Sequence, residues 1–158
     1  MNPTPPALIP FHGDWSKYVE EVYQAFLDDV VNGVLTIDRL PVSCQFRPPS
    51  QGKHFAFWHM VSEGKQEEDR IPDFRRCERI RWIAWVISNH RTHPDISWWK
   101  NRRGSNTMLV LWYEPEDFAV ILAERKGYWL LKTAYLLQGH RKKTFAMERD
   151  EYWRTRNG

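Results

Sequence analysis

Side chains that transfer protons or bind phosphate recur in the middle and C-terminal parts of the chain. The candidates for catalysis are His59, Glu63, Arg79, Arg125, Thr133 and Tyr135. The candidates for substrate binding are Arg75, Arg76, Lys132, His140, Arg141, Lys142, Trp98 and Trp99. Histidine and glutamate can exchange protons, arginine and lysine neutralise phosphate, and threonine and tyrosine supply hydrogen bonds.

These residue types match the needs of RNA cleavage without a metal ion. A base takes the proton of a ribose 2′-hydroxyl, cationic or hydrogen-bonding groups stabilise the pentacovalent phosphate, and an acid protonates the leaving 5′-oxygen. Structural alternatives stay open for individual residues. His59, next to Trp58, also fits a structural histidine, and Thr133 fits an ordinary strand residue.

The sequence lacks the motifs typical of metal sites, nucleoside triphosphatases and serine hydrolases. His90 and His93 stand three residues apart in a predicted loop, and no acidic residue or cysteine follows at a metal-ligand spacing. The chain has neither a glycine-rich phosphate loop nor a Gly-x-Ser-x-Gly motif. We therefore expect no metal and no cofactor, and neither a nucleoside triphosphatase nor a serine hydrolase.

Charge is distributed unevenly along the 158 residues, whose formal net charge is only +3. Residues 75–103 carry eight basic and two acidic side chains, and residues 125–158 carry nine basic and three acidic ones. If the two blocks meet in the fold, they form a positive surface that attracts RNA. The alternative is that both blocks are solvated faces of charged helices.

The N-terminal part is predicted to be an irregular arm followed by a helix. Residues 1–13 hold four prolines, and a single domain is expected over 14–158. Apolar residues recur at helical spacing over 15–32, behind Asp14 as a possible N-cap. Residues 34–46 favour one strand, or two short strands broken at a proline.

The segment 53–62 fits two kinds of secondary structure. Phe55 and Phe57 alternate as in a strand. A helix would instead place four side chains on one face, namely Phe55, Trp58, His59 and Ser62. Farther along, Pro72 at a first helical position predicts a helix over 72–89.

From residue 107 the apolar period becomes that of strands. Strands over 107–113, 118–124 and 128–137 follow one another through short turns, which predicts an antiparallel meander over 107–137. A charged amphipathic helix is expected over 141–156. The sequence therefore predicts an α+β fold, with helices packed on one face of a mainly antiparallel sheet.

The turn at residues 125–127 sets which side chains share a strand face. A two-residue turn pairs Arg125 with Tyr128 and puts Arg125 on the face of Lys132. A three-residue turn pairs residues 124 and 128, and Thr133 then joins the face that ends at Arg125. Glycine at position 127 favours the longer turn, but sequence alone leaves the register open.

Three segments together resemble a known superfamily. They are FWHMVSEGKQEEDRIPDFRRCERIRWI (57–83), FAVILAERKGYWLLKTAYLL (118–137) and HRKKTFAMERDEYW (140–153). The resemblance is to the small phage and toxin-associated nucleases of the barnase, EndoU, colicin D and RelE type, and it covers about residues 50–158. Its most specific part is the arginine-tipped hairpin followed by Thr-Ala-Tyr.

The resemblance implies a metal-independent endoribonuclease, often a toxin that cleaves tRNA or other RNA and has a cognate antitoxin or immunity protein. By that similarity His59, Arg125, Thr133 and Tyr135 lie in the site, with Arg79 and Glu63 as further members. Two cysteines without redox spacing and no apolar run of membrane length favour a cytoplasmic protein. A non-catalytic nucleic-acid-binding module and an interaction or immunity-type protein are the alternatives.

Overall fold

A computed structural model describes residues 2–64, 66 and 69–157, the side chain of Asn157 excepted. Helices and a curled, mostly antiparallel sheet form an α+β fold, as predicted. The α-helices of this described part are α1 (Trp15–Phe26), α2 (Phe55–Val61), α3 (Phe74–Glu78), α4 (Trp82–Asn89) and α5 (His140–Asn157). The strands are β1 (Thr36–Ile37), β2 (Leu40–Cys44), β3 (Ser62–Glu63), β4 (Ile71–Pro72), β5 (Ile96–Arg103), β6 (Asn106–Tyr113), β7 (Phe118–Arg125) and β8 (Tyr128–Leu136).

The main sheet has the strand order β1-β2-β8-β7-β6-β5. The predicted meander is confirmed as β6, β7 and β8, and β5, which the sequence did not predict, extends it. Only the β2–β8 pair is parallel among these neighbours. A separate two-stranded ribbon, β3–β4, links α2 to α3.

Both faces of the sheet are covered, which differs from the prediction of helices on one face. Leu109 and Leu111 of β6 pack into the core that α1 to α4 share. Val110 and Trp112, which alternate with them, pack with Phe145 of α5 in a second core. A strand that is apolar on both sides has to be buried on both sides, and α5 supplies the second cover.

The ends of the predicted helices and strands shift for local reasons. Asp14 caps α1 by accepting a hydrogen bond from the Lys17 backbone N–H at 3.2 Å, and the helix continues through a π-helical turn, Leu27–Val31. The helix predicted over 72–89 is instead two helices, and Asp73 caps the first of them. The break at residues 79–81 reorients the arginines that follow α3.

The two ambiguous segments are also resolved. Within residues 53–62, residues 55–61 form helix α2, so Phe55, Trp58 and His59 follow helical spacing, whereas Ser62 begins β3. Residues 34–46 form two strands, and the chain reverses at Asp38–Arg39, where both φ values are positive, rather than at the proline.

Register at the β7–β8 turn combines parts of both alternatives. Arg125 pairs with Tyr128, so the turn has two residues, and Gly127 takes φ +87°. The longer turn that glycine favoured is therefore wrong. A bulge follows, because Ile121 pairs with Thr133 while Leu122 pairs with Leu131, and Lys132 is the extra residue. Thr133 thus still joins the face that ends at Arg125.

None of the described helices combines the length and apolar character needed to cross a bilayer. Cys44 and Cys77 are free and buried. Burial raises the pKa of the Cys44 thiol to about 11 and that of Cys77 to about 12. Both thiols are therefore protonated and weakly nucleophilic at neutral pH.

Phe145 is fully buried and should anchor α5 to the second core. We expect Phe145→Ala to lower the free energy of unfolding by about 3–5 kcal/mol, because it leaves a cavity between α5 and the sheet. Urea denaturation measures this loss. Met147→Ala, at a side chain that is 72% exposed on the same helix, should cost far less. Equal losses in the two variants would contradict the packing described.

His90 gives stability a dependence on pH. The neutral ring donates from Nδ1 to the Ile87 carbonyl at 2.7 Å, and its Nε2 accepts from Arg91. Burial lowers the pKa of His90 below its usual 6.5. The unfolded chain therefore binds the proton first, and stability should fall as pH drops below about 6.5.

Urea midpoints at pH 7.5 and 5.5 test this linkage. His90→Asn, which keeps a donor near the Nδ1 position, should shrink the acid-induced loss. His12→Asn, at an exposed histidine, should leave it unchanged. An unaltered loss in His90→Asn would contradict the assignment.

Candidate active site along strand β8

The C-terminal half of β8 forms one side of the candidate site. Along the edge of β8 that faces β2, strand β2 pairs only with Trp129 to Leu131. Within the described residues, no strand pairs with this edge after Leu131. Instead, the Thr133 hydroxyl donates a hydrogen bond to the His59 carbonyl of α2 at 3.0 Å. Farther along, the Arg76 guanidinium of α3 lies over the Tyr135 ring, 5.7 Å from its centroid.

The bulge decides which side chains of β8 reach this region. Leu130 and Tyr135 have sequence positions of opposite parity, yet both pack against the second core. The extra residue, Lys132, shifts the alternation between them by one position. Lys132 itself is exposed beside α2.

A first pocket surrounds His59. Its volume is about 140 Å³, and its lining comprises Gln45, Phe55, Ala56, His59, Leu130, Leu131 and Lys132. The imidazole packs against the Phe55 ring with 4.5 Å between centroids, which fixes one face of the histidine. His59 and Lys132 therefore line the same small cavity, which we call the His59 pocket.

A second pocket, the Arg76 pocket, lies next along β8 and is more strongly charged. Its volume is about 240 Å³, and it is lined by Glu63, Asp73, Arg75, Arg76, Tyr135, Leu136, Gln138 and Arg141. Of its three arginines, Arg75 and Arg141 lack a carboxylate within salt-bridge distance among the described residues. Such an arrangement can hold an anion.

Arg76 is the most firmly held cation of this pocket. Its Nη1 donates to the Ser62 carbonyl at 2.6 Å, and its side chain is only 12% exposed. Burial lowers the pKa of the Arg76 guanidinium, and the carboxylates of Asp73 and Glu63, at 3.7 and 4.0 Å, oppose that shift. Arginine stays protonated under such a shift, so the site carries a fixed positive charge.

A larger cavity of about 380 Å³ adjoins helix α2. It is lined by Pro48, Pro49, Ser50, Gln51, Phe55, Trp58, Ser62, Arg70 and Pro72. The Trp58 indole donates to the Ser50 carbonyl at 3.0 Å, and Arg70 donates to Ser62 and Gly64. Flat apolar walls beside a held guanidinium suit a planar ring such as a nucleobase.

Sequence analysis did not predict this cavity or the place of Arg70 in its wall. The only signal was the helical alternative for residues 53–62, which put Phe55 and Trp58 on the face of His59. The prolines and Arg70 come from segments on either side of α2, and no spacing rule connects them.

Arg79 does not belong to the site. Its side chain is 10% exposed and pairs with Glu78 at 2.6 Å and Glu116 at 3.8 Å. It also lies over the Trp82 ring. Because the predicted helix breaks after Glu78, Arg79 turns toward the β6–β7 connection and fastens it to the helices.

Arg125 also lies outside these pockets. It hydrogen bonds to Asn106 at the end of the sheet where β7 turns into β8. Six residues of β7 separate it from Ala119, which pairs with Tyr135. At about 3.4 Å per residue that separation is about 20 Å. Arg125 therefore does not join Thr133, whose hydroxyl contacts the His59 carbonyl.

The predicted substrate-binding residues divide in a similar way. Trp99 is fully buried against Phe145, so the base-stacking prediction is wrong for this residue. The Arg91 guanidinium covers the Trp98 ring at 4.0 Å, which leaves that face unavailable to a base. Lys142 pairs with Asp117 in a neighbouring pocket, and His140 is exposed at the start of α5.

The comparisons with known proteins found no match to this chain. No family model matches the chain, and no curated protein or solved structure matches it. Among the described residues there is also no group of three His, Cys, Asp or Glu side chains arranged to hold a metal ion.

The Thr133 hydroxyl should stabilise the junction of α2 and β8. The His59 carbonyl lies in the last turn of α2 and accepts the Thr133 hydroxyl at 3.0 Å. We expect Thr133→Val to lower the free energy of unfolding by about 1 kcal/mol, because it removes this donor. Thr133→Ser, which keeps the hydroxyl, should lose less in urea denaturation. A valine variant more stable than the serine variant would contradict the role of the hydrogen bond.

Proposed function

We propose that this protein is a metal-independent endoribonuclease whose active site lies along the C-terminal half of β8. One observation carries the proposal: strand β8 and the helices beside it bring a histidine, a lysine, a mostly buried arginine and a tyrosine to two consecutive pockets. His59 and Lys132 line the first pocket, and Arg76 and Tyr135 line the second. These groups cover proton transfer and the neutralisation of phosphate.

In the proposed reaction the ribose 2′-oxygen attacks the adjacent phosphorus as His59 accepts its proton. The bond from phosphorus to the 5′-oxygen then breaks, and the leaving oxygen takes a proton from water. The products are a 2′,3′-cyclic phosphate and a 5′-hydroxyl. Lys132 stabilises negative charge on the phosphorane, since it lines the same pocket as His59.

The second pocket holds the neighbouring backbone phosphate. Arg76 is fixed by the Ser62 carbonyl and by its packing on Tyr135, so little side-chain freedom is lost on binding. Arg75 and Arg141 add charge from the rim of the pocket. Tyr135 donates a hydrogen bond to the phosphate, and the cavity beside Trp58 accepts a flanking base.

The wider biological role rests on the resemblance alone. On that basis the protein is a toxin acting on tRNA or other RNA in the cytoplasm, with a cognate antitoxin or immunity protein as its partner. The free thiols of Cys44 and Cys77 agree with a reducing compartment.

Cleavage of a labelled RNA in excess EDTA tests the proposal. The wild-type protein should retain its rate in EDTA. His59→Gln should lower kcat about 10²- to 10⁴-fold, because it removes the proton-transfer group. Tyr135→Phe should lower it less than His59→Gln does, because only one hydrogen-bond donor is lost.

His12→Gln is the matched control, since it removes an exposed histidine that lines none of the three cavities described and lies 3.9 Å from Glu21. Circular dichroism should show that all variants are folded. Full activity in His59→Gln, or loss of wild-type activity in EDTA, would refute the proposed mechanism. RNA binding without any cleavage would favour the non-catalytic nucleic-acid-binding module.

A further inference from the structure

Three turns bring basic side chains together at one end of the main sheet. The β7–β8 turn carries Lys126, and the β5–β6 turn follows Arg103. The parallel β2–β8 register, in which Val42 is level with Trp129, puts the β1–β2 turn at the same end. We call the five cations of these turns the basic rim, namely Arg39, Arg102, Arg103, Arg125 and Lys126.

The basic rim lacks counter-charges from the chain itself. Among the described residues, none of its five members has a carboxylate within 4.0 Å. Asp38, in the same turn as Arg39, is engaged by Arg91 at 2.9 Å. Glu124 is the other acidic residue near these turns, and it is exposed.

The opposite end of the sheet shows the contrary pattern. There the β6–β7 connection carries three acids, and each has a basic partner from a helix or its flank. Glu114 pairs with Arg149 at 3.0 Å, and Asp117 pairs with Lys142 at 2.7 Å. Glu116 lies 3.8 Å from Arg79. The acidic side chains of the β6–β7 connection are therefore paired with cations. Among the described residues, the cations of the basic rim have no carboxylate within 4.0 Å.

The rim is wide enough to contact several phosphates. Neighbouring strands lie about 4.8 Å apart, so the four intervals from β2 to β5 span about 19 Å. Arg125 also donates to Asn106 Oδ1 at 3.3 Å, which joins the β7–β8 turn to the start of β6. Arginine and lysine on joined turns are typical contacts for a nucleic-acid backbone.

Strand geometry gives the distance from the rim to the candidate site. Arg125 is four residues from Ile121, which pairs with Thr133, and six from Ala119, which pairs with Tyr135. At 3.4 Å per residue these distances are about 14 and 20 Å. A stacked strand rises about 3.4 Å per nucleotide, so the gap corresponds to about four to six nucleotides.

We propose that the basic rim binds the backbone phosphates of single-stranded RNA on one side of the cleaved bond. The inference rests on the proposed function, because it treats the β8 pockets as the place of cleavage. It adds a substrate requirement: the RNA must extend about four to six nucleotides beyond that bond to reach the rim. Shorter RNA would occupy the pockets alone.

A binding experiment separates the rim from catalysis. The probe is a fluorescein-labelled, 2′-O-methylated twelve-nucleotide uridylate, which cannot undergo 2′-hydroxyl attack. Its Kd is measured by anisotropy over a range of salt concentrations. The rim variant is Arg102→Gln/Arg103→Gln/Lys126→Gln. The matched control, Lys17→Gln/Arg81→Gln/Arg156→Gln, removes three exposed charges from helices or their flanks.

Each phosphate contact to a single strand contributes about 0.7 to the slope of log K against log salt. The rim variant should therefore lose about 2 from that slope and bind about 100-fold more weakly near 0.1 M salt. The control should stay close to wild type. Equal weakening in both triple variants, or wild-type binding by the rim variant, would overturn the proposal; the latter result is also expected if the rim serves an acidic protein.

Cleavage of unmodified RNA distinguishes the two proposals. The rim variant should lose kcat/KM on a twelve-nucleotide uridylate and keep it on the dinucleotide UpU, which cannot reach the rim. An equal loss on both substrates would overturn the rim proposal. Rim-dependent binding in a wild-type protein that cleaves neither substrate would refute the nuclease and leave the rim as an RNA-binding surface.

Discussion

The hydrogen bond from Thr133 to the His59 carbonyl joins the two elements on which the candidate site depends. It closes the side of β8 that β2 leaves uncovered, and it places His59 beside Lys132. The bulge at Lys132 changes the alternation of β8 after Leu131, so that Thr133 pairs with Ile121. In a regular strand Lys132 would pair with Ile121 instead.

Around that junction, some basic side chains pair with carboxylates of the β6–β7 connection, and others line the Arg76 pocket. Arg79 and Lys142 lie near Arg75 in the chain or in space, but carboxylates of the β6–β7 connection occupy both of them. Arg76 keeps two acids close and remains fixed over Tyr135. The arginines best placed to meet a phosphate are therefore those that α3 and the start of α5 direct at the second pocket.

The sequence predicted what depends on local periodicity and missed what depends on packing between distant segments. The first helix, its Asp14 cap and the three-strand meander follow from spacing and turn chemistry. Trp99 was misread because β5 was not predicted, and its neighbours in the second core come from α5. Arg79 was placed in the site by the resemblance, whereas the helix break after Glu78 lets it pair with Glu116 of the β6–β7 connection. Of the predicted site residues, Thr133 contacts the His59 carbonyl, and Tyr135 lines the next pocket along β8. The bulge and the helix break, which depend on packing, decide which cations lie near them.

The end groups of the cleaved RNA test the proposed chemistry most directly. A purified RNA is incubated with the wild-type protein in excess EDTA, and the fragments are analysed by mass spectrometry. Attack by the ribose 2′-oxygen, as His59 and Lys132 would promote it, predicts fragments ending in a 2′,3′-cyclic phosphate with a 5′-hydroxyl on the partner fragment. Fragments with a 3′-hydroxyl and a 5′-phosphate would contradict it, because they require water to attack the phosphorus while the bond to the 3′-oxygen breaks.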